Sequence, residues 1–212
     1  MNGANVTLTT MDIARRLRDA AARIGVRRSD MRVRGDVDLN PGLEIKKPLT
    51  AAAVLVPIVE RPAGPTILLT RRTAHLHDHA GQISFPGGRV DPCDVDPVAC
   101  ALREAEEEVG LPPERTEVVG RLDTYETRTG FQIVPVVGIV RPPFELIPDS
   151  FEVAEIFEVP LAFVVDPANH QRQSRKDIGG VERQFWALPY HSYFIWGATA
   201  GMLVNLSEVL RD

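Results

Sequence analysis

The chain has 212 residues and a net charge of −5 that is unevenly spread: residues 1–50 hold ten Lys and Arg against six Asp and Glu, or +4, leaving −9 for the rest. That length leads to the expectation of one domain of ordinary size plus an appendage. The acidic body argues against nucleic acid as the main partner, and the lack of any run of roughly 20 apolar residues or of an apolar leader argues against a membrane and points to the cytoplasm.

Residues 11–24 set Ala14, Leu17, Ala21 and Ile24 on one stripe, which predicts an amphipathic helix. Residues 25–48 turn polar around Pro41-Gly42 and read as a linker, so a helix and arm over 1–47 is expected ahead of a compact domain over 48–212. Apolar runs at 52–59 and 66–70 flank Pro62-Ala63-Gly64-Pro65 and predict a hairpin. A helix is expected over 97–109, with Asp96 as N-cap, Pro97 in the first position and Gly110 as a left-handed C-cap. Further strands are expected at 117–125, 131–140, 152–158 and 184–188, then a largely buried helix over 196–209. Strands with one helix in the middle and one at the end predict an α/β sandwich with a mixed sheet.

The middle helix carries the chemistry. At 3.6 residues per turn, Glu104, Glu107 and Glu108 share one face, Glu106 points away, and Arg103 lies one turn before Glu107, where it can brace it. Three like charges on one face repel unless a cation collects them. Hard oxygen ligands favour Mg²⁺ or Mn²⁺ over zinc. Ahead of the helix, the backbone N–H groups around Gly87 and Gly88 can approach a phosphate closely, because glycine has no side chain. The competing reading of the glutamates alone is a solvated charged face. His75, His77 and His79 alternate and would share one side of an extended segment, but they read as surface or substrate-contacting residues rather than a zinc site. Cys93 and Cys100 read as free thiols used in packing.

The stretch from Gly88 through Arg103-Glu104-Ala105-Glu106-Glu107-Glu108-Val109-Gly110-Leu111 resembles the Nudix box, in which Gly, five residues, Glu and seven residues precede Arg-Glu-U-x-Glu-Glu-x-Gly-U, with U apolar. Every fixed position of the second half matches. In the first half Asp94 replaces the glutamate and one extra residue precedes Arg103, which leaves Asp94 without an assigned role. Upstream, Leu68-Leu69-Thr70-Arg71-Arg72-Thr73-Ala74, Gly81 and Phe85-Pro86-Gly87-Gly88 are similar to the extended signature of the coenzyme A pyrophosphatase branch, as are Thr129-Gly130-Phe131 and the segment from Ile195 to Ala200. Thr73 and His77 depart from that signature, in which serine and arginine are usual.

The resemblance covers about 48–210. It implies a Nudix-type α/β/α sandwich and a Mg²⁺- or Mn²⁺-dependent hydrolase that cuts coenzyme A or its derivatives to 3′,5′-ADP and 4′-phosphopantetheine. Arg103, Glu104, Glu107 and Glu108 are then the catalytic set, with the three glutamates as metal ligands. Arg71, Arg72, His79, Phe85, Gly87, Gly88 and Phe131 are the candidates for substrate contact, with Tyr125 a further one. Glu152 and Glu155 read as flanking a strand, with a metal or a water as the alternative role for either. The rival readings are a Nudix hydrolase of ADP-ribose or a dinucleotide, and a non-catalytic nucleotide-binding Nudix module. An apolar C-terminal helix and a detached N-terminal one are compatible with a homodimer.

Overall fold

The computed structural model of the protein describes residues 8–23, 32–75, 80–177 and 179–211. Its frame is a nine-stranded mixed sheet. At the centre, β2 (Thr50–Val59) and β8 (Phe131–Val140) run parallel along their whole length. Both read as near-continuous runs of Ala, Val and Ile, since a strand covered on both faces has no polar side. β3 (Thr66–Arg72) meets β2 only at the hairpin end, where Ile58 faces Ile67 and Val59 faces Thr66; it then departs to pair with β9 (Val153–Pro160). Where the two strands part, β5 (Gly87–Arg89) pairs with β2 at Ala52 to Val54, and the short β4 (Ile83–Ser84) pairs with β3. This parting brings the glycine turn to the middle of the sheet.

β6 (Thr116–Arg121) and β7 (Thr124–Glu126) flank β8, and β1 (Val33–Gly35) joins β7 in parallel. A separate antiparallel sheet comprises β10 (Gln171–Lys176), β11 (Glu182–Tyr190) and β12 (Tyr193–Trp196).

Strand alternation gives the main sheet two apolar faces. Ala53, Leu55, Leu68, Val136 and Val140 lie under α2 (Pro97–Val109), against Cys100, Ala101, Ala105 and Val109. On the other face Val56, Ile58, Ile67, Leu69, Val137 and Ile139 pack with α1 (Thr10–Arg23), α3 (Leu161–Val165) and α4 (Gly197–Arg211). The architecture is the expected α/β/α sandwich with a mixed sheet. Among the described residues no helix is long and apolar enough to cross a membrane.

Several expectations change. The N-terminal helix is not detached: Ile13, Ala14 and Leu17 are buried in the same core, and Arg16 Nη1 donates to the Leu210 carbonyl at 2.6 Å. Ile24 of the expected helix and residues 25–31 of the expected linker lie outside the described residues; beyond them, β1 joins the sheet and Asn40 bonds both the N–H and the carbonyl of Gln184. The apolar surface of α4 is used within the chain, since Thr199 to Ser207 are all buried, which removes that reason to expect a dimer. Cys100 is buried but Cys93 is exposed and has no packing role.

Candidate active site

α2 follows its sequence signals. Asp96 Oδ1 accepts from the N–H groups of Val98 and Ala99 at 2.7 and 2.9 Å, and Gly110 closes the helix at φ 67°. With both ends fixed, the register of the glutamates is fixed as well. Glu104 lies against the glycine turn so closely that a Cβ on Gly88 would sit 2.5 Å from its carboxyl carbon. Gly87, at φ 155°, has no room for a side chain either, because its Cβ would lie 2.5 Å from the Ala53 carbonyl oxygen. The Gly87 N–H instead donates to Glu108 Oε2 at 3.3 Å.

Glu108 is the buried member, 6% exposed. Burial pushes its carboxyl up to about 8, against the opposing pull of the Gly87 N–H and Arg72. Burial also raises Glu104, with Arg103 pulling the other way. Glu107 is different: its side chain is 60% exposed and accepts from Arg103 Nη1 at 2.9 Å. Glu106 is exposed, away from the group.

Asp94, which the motif left unassigned, is the main partner of Arg103. Its two oxygens accept from Nε at 3.0 Å and Nη2 at 2.9 Å, while Nη1 is shared between Glu104 and Glu107, each at 2.9 Å. The pair with Arg103, followed by the Asp91 N–H, holds Asp94 well below the usual carboxylate range. A turn just ahead of it sets Asp94 in place: Asp91 Oδ1 accepts from the Cys93 N–H at 2.9 Å, and the Asp91 N–H donates to Asp94 Oδ2 at 2.8 Å.

The two upstream arginines separate. Arg72 points to the α2 face, with Nη1 3.8 Å from Glu108 and Nη2 3.6 Å from Glu152, and its Nε is buried without a hydrogen-bond partner. Arg71, one residue earlier, points the opposite way and pairs with Glu155 at 2.7 Å, where Tyr193 Oη also donates at 2.6 Å. Alternation along β3 thus removes Arg71, with its partner Glu155, from the box face and leaves Arg72 on it, where Glu152, just ahead of β9, meets it. Phe85, expected at the substrate, is 2% exposed in the core and anchors the glycine turn from beneath. Phe131 lies under the Arg89 guanidinium, 5.6 Å from ring centroid to Cζ, and alternation puts Arg89 on the face opposite Gly88 and Glu104. Tyr125 is buried beside α4, its hydroxyl donating to Asp36 Oδ1 at 2.9 Å. His77 and His79 lie outside the described residues.

Among the described residues no three side chains already converge as a closed metal cage. The donor set nevertheless fits a hard divalent cation: a buried carboxylate with little counter-charge, a second one in a cradle that any Cβ would fill, and no sulfur or imidazole between them.

A mixed sheet carrying a glycine turn and a carboxylate-lined helix is the frame of a hydrolase for diphosphate anhydrides. The chain belongs to the Nudix family: the model described as NUDIX domain matches residues 49–177. It is 46% identical over 156 residues, 74% of this chain and 80% of the relative, to the protein named "Uncharacterized Nudix hydrolase NudL" of Escherichia coli strain K12. Among solved structures it is similar to a C. elegans Ap4A hydrolase binary complex (22% identity, 53% of this chain and 81% of that one, TM-score 0.45). It is also similar to the NUDIX domain of Shewanella oneidensis NrtR complexed with ADP ribose (22% identity, 57% and 78%, TM-score 0.43). As a Nudix hydrolase the protein is a pyrophosphohydrolase of small nucleotide derivatives, and members of the family use divalent metal ions, generally Mg²⁺ or Mn²⁺.

Proposed function

We propose that this chain cleaves the diphosphate of coenzyme A or its derivatives, giving 3′,5′-ADP and 4′-phosphopantetheine or its acyl form, with Mg²⁺ or Mn²⁺ and in the cytoplasm. The observation that carries the hydrolytic reading is the pairing of Glu104 and Glu108 with the glycine turn, a carboxylate surface directly beside backbone that phosphate can approach. Glu104, Glu107 and Glu108 are the residues to hold the ion. When bound, it neutralises anionic oxygens of the diphosphate and acidifies a water. Arg103, fixed by Asp94, bridges Glu104 and Glu107 through one nitrogen and orients both. Arg72 offers its guanidinium, a quarter exposed, to a phosphate oxygen, and Glu152 supplies a further acceptor on the same face.

The coenzyme A reading draws on the upstream segment, from Leu68 through Gly88, with Arg72 rather than Arg71 as the phosphate contact. Turnover of coenzyme A, dephospho-coenzyme A, ADP-ribose and a dinucleotide, with products identified by mass, tests it. Preferred cleavage of coenzyme A to 3′,5′-ADP is expected; a preference for ADP-ribose overturns the substrate and leaves the chemistry in place.

A further inference from the structure

The residue ahead of Glu152 is an aromatic that the hydrolytic chemistry leaves unused. Phe151 is 62% exposed, yet its backbone is pinned on both sides. Its N–H donates to Asp149 Oδ1 at 2.8 Å and its carbonyl accepts from Thr73 Oγ1 at 2.7 Å. The Thr73 N–H donates to the Glu152 carbonyl at 2.9 Å, and the Asp149 N–H to the Glu108 carbonyl at 2.9 Å. These bonds tie the ring to the end of β3 and to the last turn of α2, the two elements that supply Arg72 and Glu108. The His75 imidazole stands against it, centroids 5.0 Å apart and planes at 60°, so that the two rings form a corner with one open aromatic face.

A flexible chain gains little from a flat aromatic face, whereas a planar heteroaromatic ring can stack on it and meet the edge of an imidazole. We propose that Phe151, with His75, is the stacking platform for the base of the nucleotide substrate. The assignment rests on the nucleotide reading of the site and makes Phe151 a specificity residue remote from the reacting bond.

The test is calorimetric binding of ADP, of 4′-phosphopantetheine and of inorganic pyrophosphate, in Mg²⁺, to the full chain, to Phe151→Ala and to Phe151→Trp. Because the side chain is exposed, both variants should melt as the parent does. The expected result is ADP affinity about tenfold weaker in Phe151→Ala and recovered in Phe151→Trp, with pyrophosphate affinity unchanged throughout. Unchanged ADP affinity in Phe151→Ala overturns the platform, and so do equal losses on ADP and pyrophosphate. A loss on 4′-phosphopantetheine in place of ADP assigns the ring to the other half of the substrate and overturns it too. If ADP binding follows Phe151 while the parent hydrolyses no coenzyme A, the platform stands and the coenzyme A reading falls.

Discussion

Asp94 and Arg103 form a two-point ion pair, Nε to Oδ1 at 3.0 Å and Nη2 to Oδ2 at 2.9 Å, although the spacing of the box places the aspartate one residue out of register. The pair uses one side of the guanidinium fork and leaves the other for Glu104 and Glu107. Asp94→Ala should free Arg103 to collapse onto those carboxylates, lowering turnover or Mg²⁺ affinity by about ten- to a hundredfold with a smaller change in KM for substrate. Steady-state rates across an Mg²⁺ titration measure both; an unchanged Mg²⁺ dependence and turnover would give the pair a purely structural role.

Glu108→Gln keeps the shape of the buried side chain and removes its charge. Turnover is expected to fall by about two orders of magnitude or more, while the metal-free protein melts higher at neutral pH because no carboxylate has to take up a proton to be buried in the core. Glu107→Gln, at an exposed position, should cost activity without that gain in stability. Paired melting and rate measurements on the two variants separate the outcomes.

Glu108 also sets the pH dependence of stability. Its carboxyl moves from an ordinary 4.5 to about 8 in the folded protein, so between those values the folded state holds a proton that the unfolded chain has released. Its contribution is therefore complete below 4.5 and lost as pH rises towards about 8. Denaturation midpoints in chelator should fall across this window, Mg²⁺ should counter the fall, and Glu108→Gln should flatten it. A midpoint in chelator that rises steadily to pH 8 would contradict the buried carboxyl.

The divergence of the two arginines gives a sharp comparison. On the proposed reading Arg72→Ala removes a charge-assisted phosphate contact worth roughly 1.5–3 kcal/mol, so KM for coenzyme A should rise about tenfold or more. Arg71→Ala breaks only the pair with Glu155 on the opposite face and should leave KM nearly unchanged. Equal effects in the two variants would contradict the assignment of faces.

The long elements were legible in the sequence because their signals are local. Asp96, Pro97 and Gly110 delimit α2, and the buried runs of β2 and β8 are long enough to be read. The missed strands lack such signals: β4 and β5 have two and three residues, and β10 is Gln-Arg-Gln-Ser-Arg-Lys, with no apolar residue because it is an exposed edge. In the site, helical spacing predicts which glutamates share a face, but not that Glu108 is buried and Glu107 exposed, which depends on what packs above them. Asp94, Glu152 and Phe151 come from loops, whose direction no periodicity encodes. Phe85 misled for the same reason: a residue beside a glycine turn can face the ligand or the core, and its neighbours in sequence do not distinguish the two.

The bond from Arg16 to the Leu210 carbonyl brings α1 and α4, the first and last helices of the described residues, together on one face of the sheet. Neither lies within the 49–177 match, yet Ile13, Leu17, Leu203 and Leu206 form one wall of the interior. A fragment cut at the family's limits would have half its roof missing. We expect residues 49–177 expressed alone to collect in inclusion bodies or bind a hydrophobic dye, and co-expressed outer segments to restore a soluble particle.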